Sequence, residues 1–328
     1  MDVRLTAEER ALRDSVVRVV QRLAPKTVGD LDDKERADKL DSAVAASGWR
    51  GLRTAGEEGK PWASGVAAAI VAEELARGGA DAPYLGPVLA AELRRLSGAA
   101  AAVSCETVAL TTDLGRAGVG VAVDSAGAVN AVGVRGDDVV ELSVGHGLPS
   151  IDLTRPSSAT GAQGATVGAL TGEGLARWMA LGLAISCADL VGVMRGTLEM
   201  SIAYAKVRSQ YGAPIGSFQA VQHLLADAHV AMEGSRSIGL YAAWAVDALP
   251  ARESLAAAAA AKGYCSRAAR SVCETAIQVH GGIGNTWECM AHVFLRRAVL
   301  SSDVLGGVGP NLDRVLAYRS IGAGDGLW

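Results

Sequence analysis

The stretch Tyr204-Ala-Lys-Val-Arg208-Ser-Gln210-Tyr211-Gly212-Ala-Pro214-Ile-Gly-Ser217-Phe218-Gln219 decides how this chain folds. A long apolar, alanine-rich pattern, residues 174–208, runs up to it, and a second, residues 217–248, leaves it. Neither Gly212 nor Pro214 continues a helix, so the chain ends one helix, turns, and opens the next with Ser217 as the expected N-cap. Arg208 falls in the last turn of the first helix, where a guanidinium complements the helix C-terminal partial charge. The same fork can also grip a phosphate through two hydrogen bonds. Spacing alone leaves both readings open.

A second punctuation, Gln278-Val-His280-Gly281-Gly282-Ile283-Gly284-Asn-Thr-Trp287, separates a third helical pattern, residues 252–279, from a fourth, residues 287–300. Its glycines either cap a helix in the left-handed conformation or let backbone N–H groups approach a polar ligand. Long helices joined by short loops predict an antiparallel bundle, and the alanine run at 256–261 lets a neighbouring helix come close.

Toward the N-terminus, Thr6 and Glu9 form a capping box ahead of Leu12, Val16, Val19, Val20 and Leu23 at helical spacing. Further helices are expected at 38–47, 63–77 and 87–96, the last with Pro87 in its first turn. From Glu106 the pattern changes to short β-branched runs. They are divided by Asp124-Ser125-Ala126-Gly127 and Arg135-Gly136-Asp137, both read as hairpin turns. Residues 145–172 are rich in Gly, Ser, Thr and Pro and read as a linker wandering over the surface. The expected architecture is mainly α with a small antiparallel β insert. It comprises an N-terminal helical domain (1–103), a shortened β domain with linker (104–172) and a C-terminal four-helix bundle (173–328).

Composition narrows the function. The 31 Lys+Arg against 35 Asp+Glu leave a formal charge of −4, which excludes a generally basic nucleic-acid binder. The five cysteines, Cys105, Cys187, Cys265, Cys273 and Cys289, contain no Cys-x-x-Cys pair and fit a reducing cytoplasm better than a disulfide framework. The opening MDVRLTAEER has no apolar core of a secretory signal. The apolar run 178–194 is interrupted by Asp189 and reads as a buried core helix, so no membrane span is expected. His223 and His229 lie six apart, unsuited to one helix face, and no metal site is expected.

Taken in order, the helical start, the β insert, R-x-Q-Y-G-x-P-I-x-x-F-Q and Q-V-H-G-G-I-G resemble the acyl-CoA dehydrogenase family, most strongly over residues 181–297. In that family FAD takes a hydride from the β-carbon of an acyl-CoA while a glutamate removes the α-proton, and each FAD lies between two subunits. The resemblance implies that Arg208, Gln210, Tyr211, Phe218, Gln219, Gln278, Gly281 and Gly282 contact FAD across such an interface. The other half of the usual site departs from the pattern. The family's T-E-P-x-x-G-S loop corresponds at best to Thr111-Thr112-Asp113-Leu114-Gly115-Arg116, and the two usual positions of the glutamate fall on Leu305 and Gly182.

A chain that keeps what it lends and lacks what it would use itself resembles the shortened, non-catalytic subunit of bacterial α2β2 acyl-CoA dehydrogenases of the steroid side-chain type. That implies an acyl-CoA dehydrogenase-like partner holding the base, an acyl-CoA substrate, and an electron-transfer flavoprotein or similar acceptor. Two alternatives stand beside it: a self-sufficient homotetramer with Asp303 or Glu288 as relocated base, and a flavin-free structural or acyl-CoA-binding protein on the same scaffold.

Overall fold

The computed structural model describes residues 4–320. Helix α1 (Ala7–Leu23) begins at the expected capping box. The Thr6 hydroxyl accepts from the Glu9 N–H at 3.1 Å and the Glu9 carboxylate accepts from the Thr6 N–H at 2.8 Å. Helices α2 (Lys34–Ala46), α3 (Gly65–Arg77) and α4 (Leu85–Ser97) complete an all-helical N-terminal part.

The β insert departs from expectation. Strands β1 (Glu106–Leu110), β2 (Val121–Ala122), β3 (Asn130–Arg135), β4 (Asp138–Leu148) and β5 (Ser157–Ala169) close a barrel in the order β1-β2-β5-β4-β3. Its pairs are antiparallel except β1 with β3, which is parallel. Only Arg135-Gly136-Asp137 makes the expected hairpin, with Arg135 opposite Asp138 and Gly136 at φ 61°. Asp124-Ser125-Ala126-Gly127 instead joins β2 to β3, which are not neighbours. The expected linker contains the 13-residue strand β5. Its small residues are mostly unburied, so no apolar alternation announces it, and backbone pairing with β4 and β2 carries it.

The C-terminal part holds α5 (Gly172–Val207), α6 (Gln219–Ala248), α7 (Ala251–His280), α8 (Ala291–Asp303) and α9 (Val308–Tyr318). The four expected helices are present, and α9 joins them as a fifth. Helix α9, hidden behind Gly306-Gly307 with Gly309 and Pro310 in its first turn, packs along α7. Helix α8 starts at Ala291, not Trp287. Phe218 occupies the N-cap of α6, because the Ser217 hydroxyl donates to the Pro214 carbonyl at 2.7 Å instead. By length and composition α5 could cross a membrane, but 94% of its apolar window is buried within the protein. Its Gly192 and Gly196 explain how closely α3 approaches. A Cβ there would come within 2.1 Å of the Glu73 carbonyl oxygen and 2.2 Å of the Arg77 carbonyl oxygen.

Charged groups join these parts inside the core. Asp189 on α5 accepts from the Arg297 guanidinium at 2.6 Å and from the Ser301 hydroxyl at 2.6 Å, both on α8. Arg297 also donates to the Ala80 carbonyl between α3 and α4 at 2.7 Å and to Thr154 at 3.0 Å. Arg155 donates to Asp152 at 2.9 Å and to Ser301 at 2.5 Å. Burial opposes ionisation of Asp189, yet Arg155 and Arg297 outweigh it and hold its carboxyl down at about 2.

Because that value lies below the ordinary 3.8, Asp189 stabilises the fold fully above pH ~4, and its contribution disappears as pH falls toward 2. Asp189→Asn leaves two buried guanidiniums without their shared counter-charge and is expected to cost about 3–5 kcal/mol in urea denaturation at neutral pH. The gap to wild type should narrow between pH 4 and pH 2.

Candidate functional site

At one end of the bundle α5 stops and α6 begins. Arg208 lies just past the last turn of α5, as its C-cap, with its N–H on the Tyr204 carbonyl at 2.9 Å. The chain reverses through a two-stranded ribbon, Ser209–Gln210 against Ala213–Pro214, whose tip places Tyr211 at φ 53° and Gly212 at φ 78°. The Ile215 N–H closes the turn on the Arg208 carbonyl at 2.8 Å. Tyr211, 91% exposed, meets the half-buried Phe218 ring edge-on at 6.5 Å.

The second motif joins this corner through an aromatic contact. The Tyr204 ring, one turn before Arg208, stacks on His280 with centroids 4.4 Å apart and planes 24° apart. The His280 ring is fixed by a 2.8 Å bond between Nδ1 and the Ala276 carbonyl. The single turn Gly281–Asn285 follows directly. The structure therefore ties the two quoted motifs together at this stack. Arg208, Gln210, Gln219, Gln278, Gly281 and Gly282 are exposed, and among the described residues the side chains of the first four have no hydrogen-bond or ion-pair partner. Gly281 needs its φ of 65°, whereas Gly282 has no left-handed φ and a Cβ there would meet nothing within 4 Å. Nothing in the chain's own fold calls for glycine at 282.

The region around Leu305 and Gly182 is built the opposite way. Leu305 is fully buried at φ 60°, and a Cβ on Gly182 would stand 2.3 Å from Leu305 Cδ1 and 3.5 Å from the Leu89 methyls. The leucine fills the space that the glycine leaves. The Leu305 N–H donates to the Leu114 carbonyl at 2.7 Å. Arg314 donates to the Leu305 carbonyl at 2.8 Å and to the Gly115 carbonyl at 3.3 Å. Lys262, fully buried, donates to the Val304 carbonyl, and burial pushes its ammonium down to about 8. The 111–116 loop also turns inward on itself. Asp113 accepts from the Thr111 hydroxyl at 2.5 Å and from the Gly115 N–H at 3.0 Å, bonds that lower its carboxyl below the ordinary carboxylate range. Asp303 and Glu288 are exposed, so neither is brought into the buried Leu305–Gly182 contact.

Sequence reasoning gave no role to Tyr204, His280, Leu114 or Arg314. The first three stand inside the quoted motifs, but their contacts are tertiary. Arg314, whose guanidinium holds the Leu305 and Gly115 carbonyls, lies outside every motif and left no signal.

The profile "Acyl-CoA dehydrogenase, N-terminal domain" matches residues 6–93, and "Acyl-CoA dehydrogenase, C-terminal domain" matches residues 176–308. Acyl-CoA dehydrogenase IpdE2 of Mycobacterium tuberculosis is 33% identical over 249 residues, 73% of this chain and 73% of that protein. Acyl-CoA dehydrogenase FadE34 of the same organism is 43% identical over 142 residues, but the match spans only 20% of its length and 43% of this chain. Among solved structures, the Tcur3481-Tcur3483 steroid ACAD G363A variant superposes with a TM-score of 0.82 at 22% identity, covering 96% of this chain and 98% of that one. The ChsE4-ChsE5 complex from Mycobacterium tuberculosis gives 0.75 at 21%, covering 99% and 100%. At these identities the structural likeness speaks for the fold.

The Leu305–Gly182 contact makes a double-mutant prediction. Gly182→Ala is expected to destabilise the chain by about 1–3 kcal/mol, because a fully buried Leu305 has no room to swing aside. In the Leu305→Ala background the same substitution should cost at least about 1 kcal/mol less, read as a coupling energy in chemical denaturation.

Proposed function

Since the chain belongs to the acyl-CoA dehydrogenase family, we propose that it is the non-catalytic half of a two-subunit, FAD-dependent enzyme that converts an acyl-CoA thioester to its 2-enoyl-CoA. The observation that carries this reading is the Leu305–Gly182 contact. The two positions where the family's base would stand pack against each other in the core, so no carboxylate stands at either and the space between them is filled. The corner with Arg208 is open and its polar side chains are unused.

The donor set at that corner fits part of FAD. A guanidinium suits the pyrophosphate, the amides of Gln210, Gln219 and Gln278 suit adenine and ribose, and the unobstructed backbone of Gly281-Gly282 admits close approach. Bound FAD supplies two-electron hydride acceptance. The 111–116 loop does not fit the flavin side in this chain, since Asp113 takes the Thr111 hydroxyl and the Gly115 N–H, donors that a phosphate or flavin would need. In this reading a partner subunit supplies the flavin side and the carboxylate that removes the substrate α-proton. This chain lends Arg208, Gln210, Tyr211, Phe218, Gln219, Gln278, Gly281 and Gly282 across the interface.

Val207 and Tyr211, 77% and 91% exposed, together with Ile283, give the same corner an apolar surface for that partner to cover. The Tcur3481-Tcur3483 structure is named a steroid ACAD and ChsE4-ChsE5 a complex. They support a bulky, ring-bearing acyl group and a second acyl-CoA dehydrogenase-like subunit here. An electron-transfer flavoprotein or similar acceptor would reoxidise the cofactor in the cytoplasm.

Purified alone, the chain should be colourless and inert toward acyl-CoA with an added electron acceptor. Co-expressed with a homologue that carries the glutamate, it should give a yellow complex with one FAD per heterodimer. In that complex Arg208→Gln should weaken FAD retention by at least about tenfold, the worth of a charge-assisted hydrogen bond. Gly282→Val should weaken retention while leaving the melting temperature of the lone chain unchanged. A lone chain that is yellow and turns over acyl-CoA overturns the proposal.

A further inference from the structure

Trp287 stands in the loop between α7 and α8 and is 65% exposed. Its ring meets His292 edge-on at 5.0 Å, and the Arg296 guanidinium carbon lies 5.8 Å from its centroid. An indole held by two neighbours yet left mostly to solvent costs apolar exposure that the fold does not recover. Arg296, half-buried, has no carboxylate partner among the described residues, and its guanidinium lies against this ring and near His292. His292 is lowered below its ordinary value by burial and by Arg296, so at neutral pH its ring is an uncharged wall. Glu288 is the one acidic residue in the segment 281–290. The same loop begins with Gly281 and Gly282, where a Cβ would meet nothing within 4 Å.

A flat π-surface and a cation without an anion in one loop suit a heteroaromatic base that carries phosphate. A protein side chain from a partner could use the indole, but it would leave the Arg296 charge unanswered. We propose that Trp287 and Arg296 form an adenine-nucleotide shelf, with the base stacked on the open indole face and a phosphate met by Arg296. Two nucleotides share this chemistry, the ADP half of FAD and the phosphorylated adenosine of coenzyme A. The first of these extends the shared-cofactor reading given above and rests on it, whereas the second does not.

The test is saturation-transfer NMR on the full chain, with ADP and coenzyme A as separate probes and the adenine H2 and H8 signals as readout. Transfer to at least one probe is expected, weakened about tenfold in Trp287→Ala and retained in Trp287→Phe. Arg296→Gln should weaken the phosphorylated probes but not adenosine. Transfer to ADP ties the shelf to the cofactor, and transfer to coenzyme A alone ties it to the substrate. No transfer to either probe, or equal transfer in Trp287→Ala, overturns the proposal. Loss of co-purification with the partner in Trp287→Ala, without nucleotide binding, overturns it in favour of a protein contact. FAD retention by the Arg208→Gln complex is read independently, so a failed shelf and a failed shared cofactor are told apart.

Discussion

Asp189 is a carboxylate that α5 carries into the centre of the molecule and that two guanidiniums keep there. Removing a charge from water costs several kcal/mol, and the cost is recovered only where geometry is good and remaining donors and acceptors are satisfied. Here they are. Arg297 spends its N–H groups on Asp189, Thr154 and the Ala80 carbonyl, and Ser301 passes a hydrogen bond between Arg155 and Asp189. The cluster thereby fixes α8 against α5, the turn ahead of α4 and the segment that leads into β5. No apolar contact of equal size would be as selective, because a charge buried out of register is penalised whereas a slipped methyl is not.

The position of Leu305 follows from that anchoring. Helix α8 carries Arg297 and Ser301 and ends at Asp303, so the corner that holds Leu305 inherits its placement from the cluster. Arg314 from α9 and Lys262 from α7 then hold the carbonyls on either side of it. A leucine at φ 60° is strained by about 1–3 kcal/mol. The strain is offset by complete burial of its side chain over Gly182 and Leu89, on the order of 2 kcal/mol of transfer free energy. A glutamate in the same place would carry a charge into a pocket that Gly182 and the Leu89 methyls make apolar.

The bundle and the Arg208 corner were legible because helical period, Gly212, Pro214 and the Thr6–Glu9 box are local signals. The barrel was legible only in part. Strand β5 pairs by backbone and shows no alternation, and the parallel β1–β3 pair joins strands with β2 between them in sequence. Helix α9 was lost behind glycine and proline at its start. That Leu305 and Gly182 carry no carboxylate is plain from the sequence, but their mutual contact is tertiary and no spacing foretells it. The same holds for Tyr204 on His280, which turns two separate motifs into one site.

The two halves of the candidate site differ in what folding asks of them. At the Leu305 half the Leu114, Gly115, Val304 and Leu305 carbonyls are all taken and Leu305 fills the space beside Gly182, so a cofactor there would have to break existing hydrogen bonds and displace a packed side chain. At the Arg208 half the polar groups are exposed and unpaired, and exposed surface charges contribute little to stability. Folding alone therefore gives no reason for a guanidinium, three amides and an unconstrained Gly282 to gather beside one aromatic stack. The proposed external ligand, one that brings phosphate and a base, would give that reason.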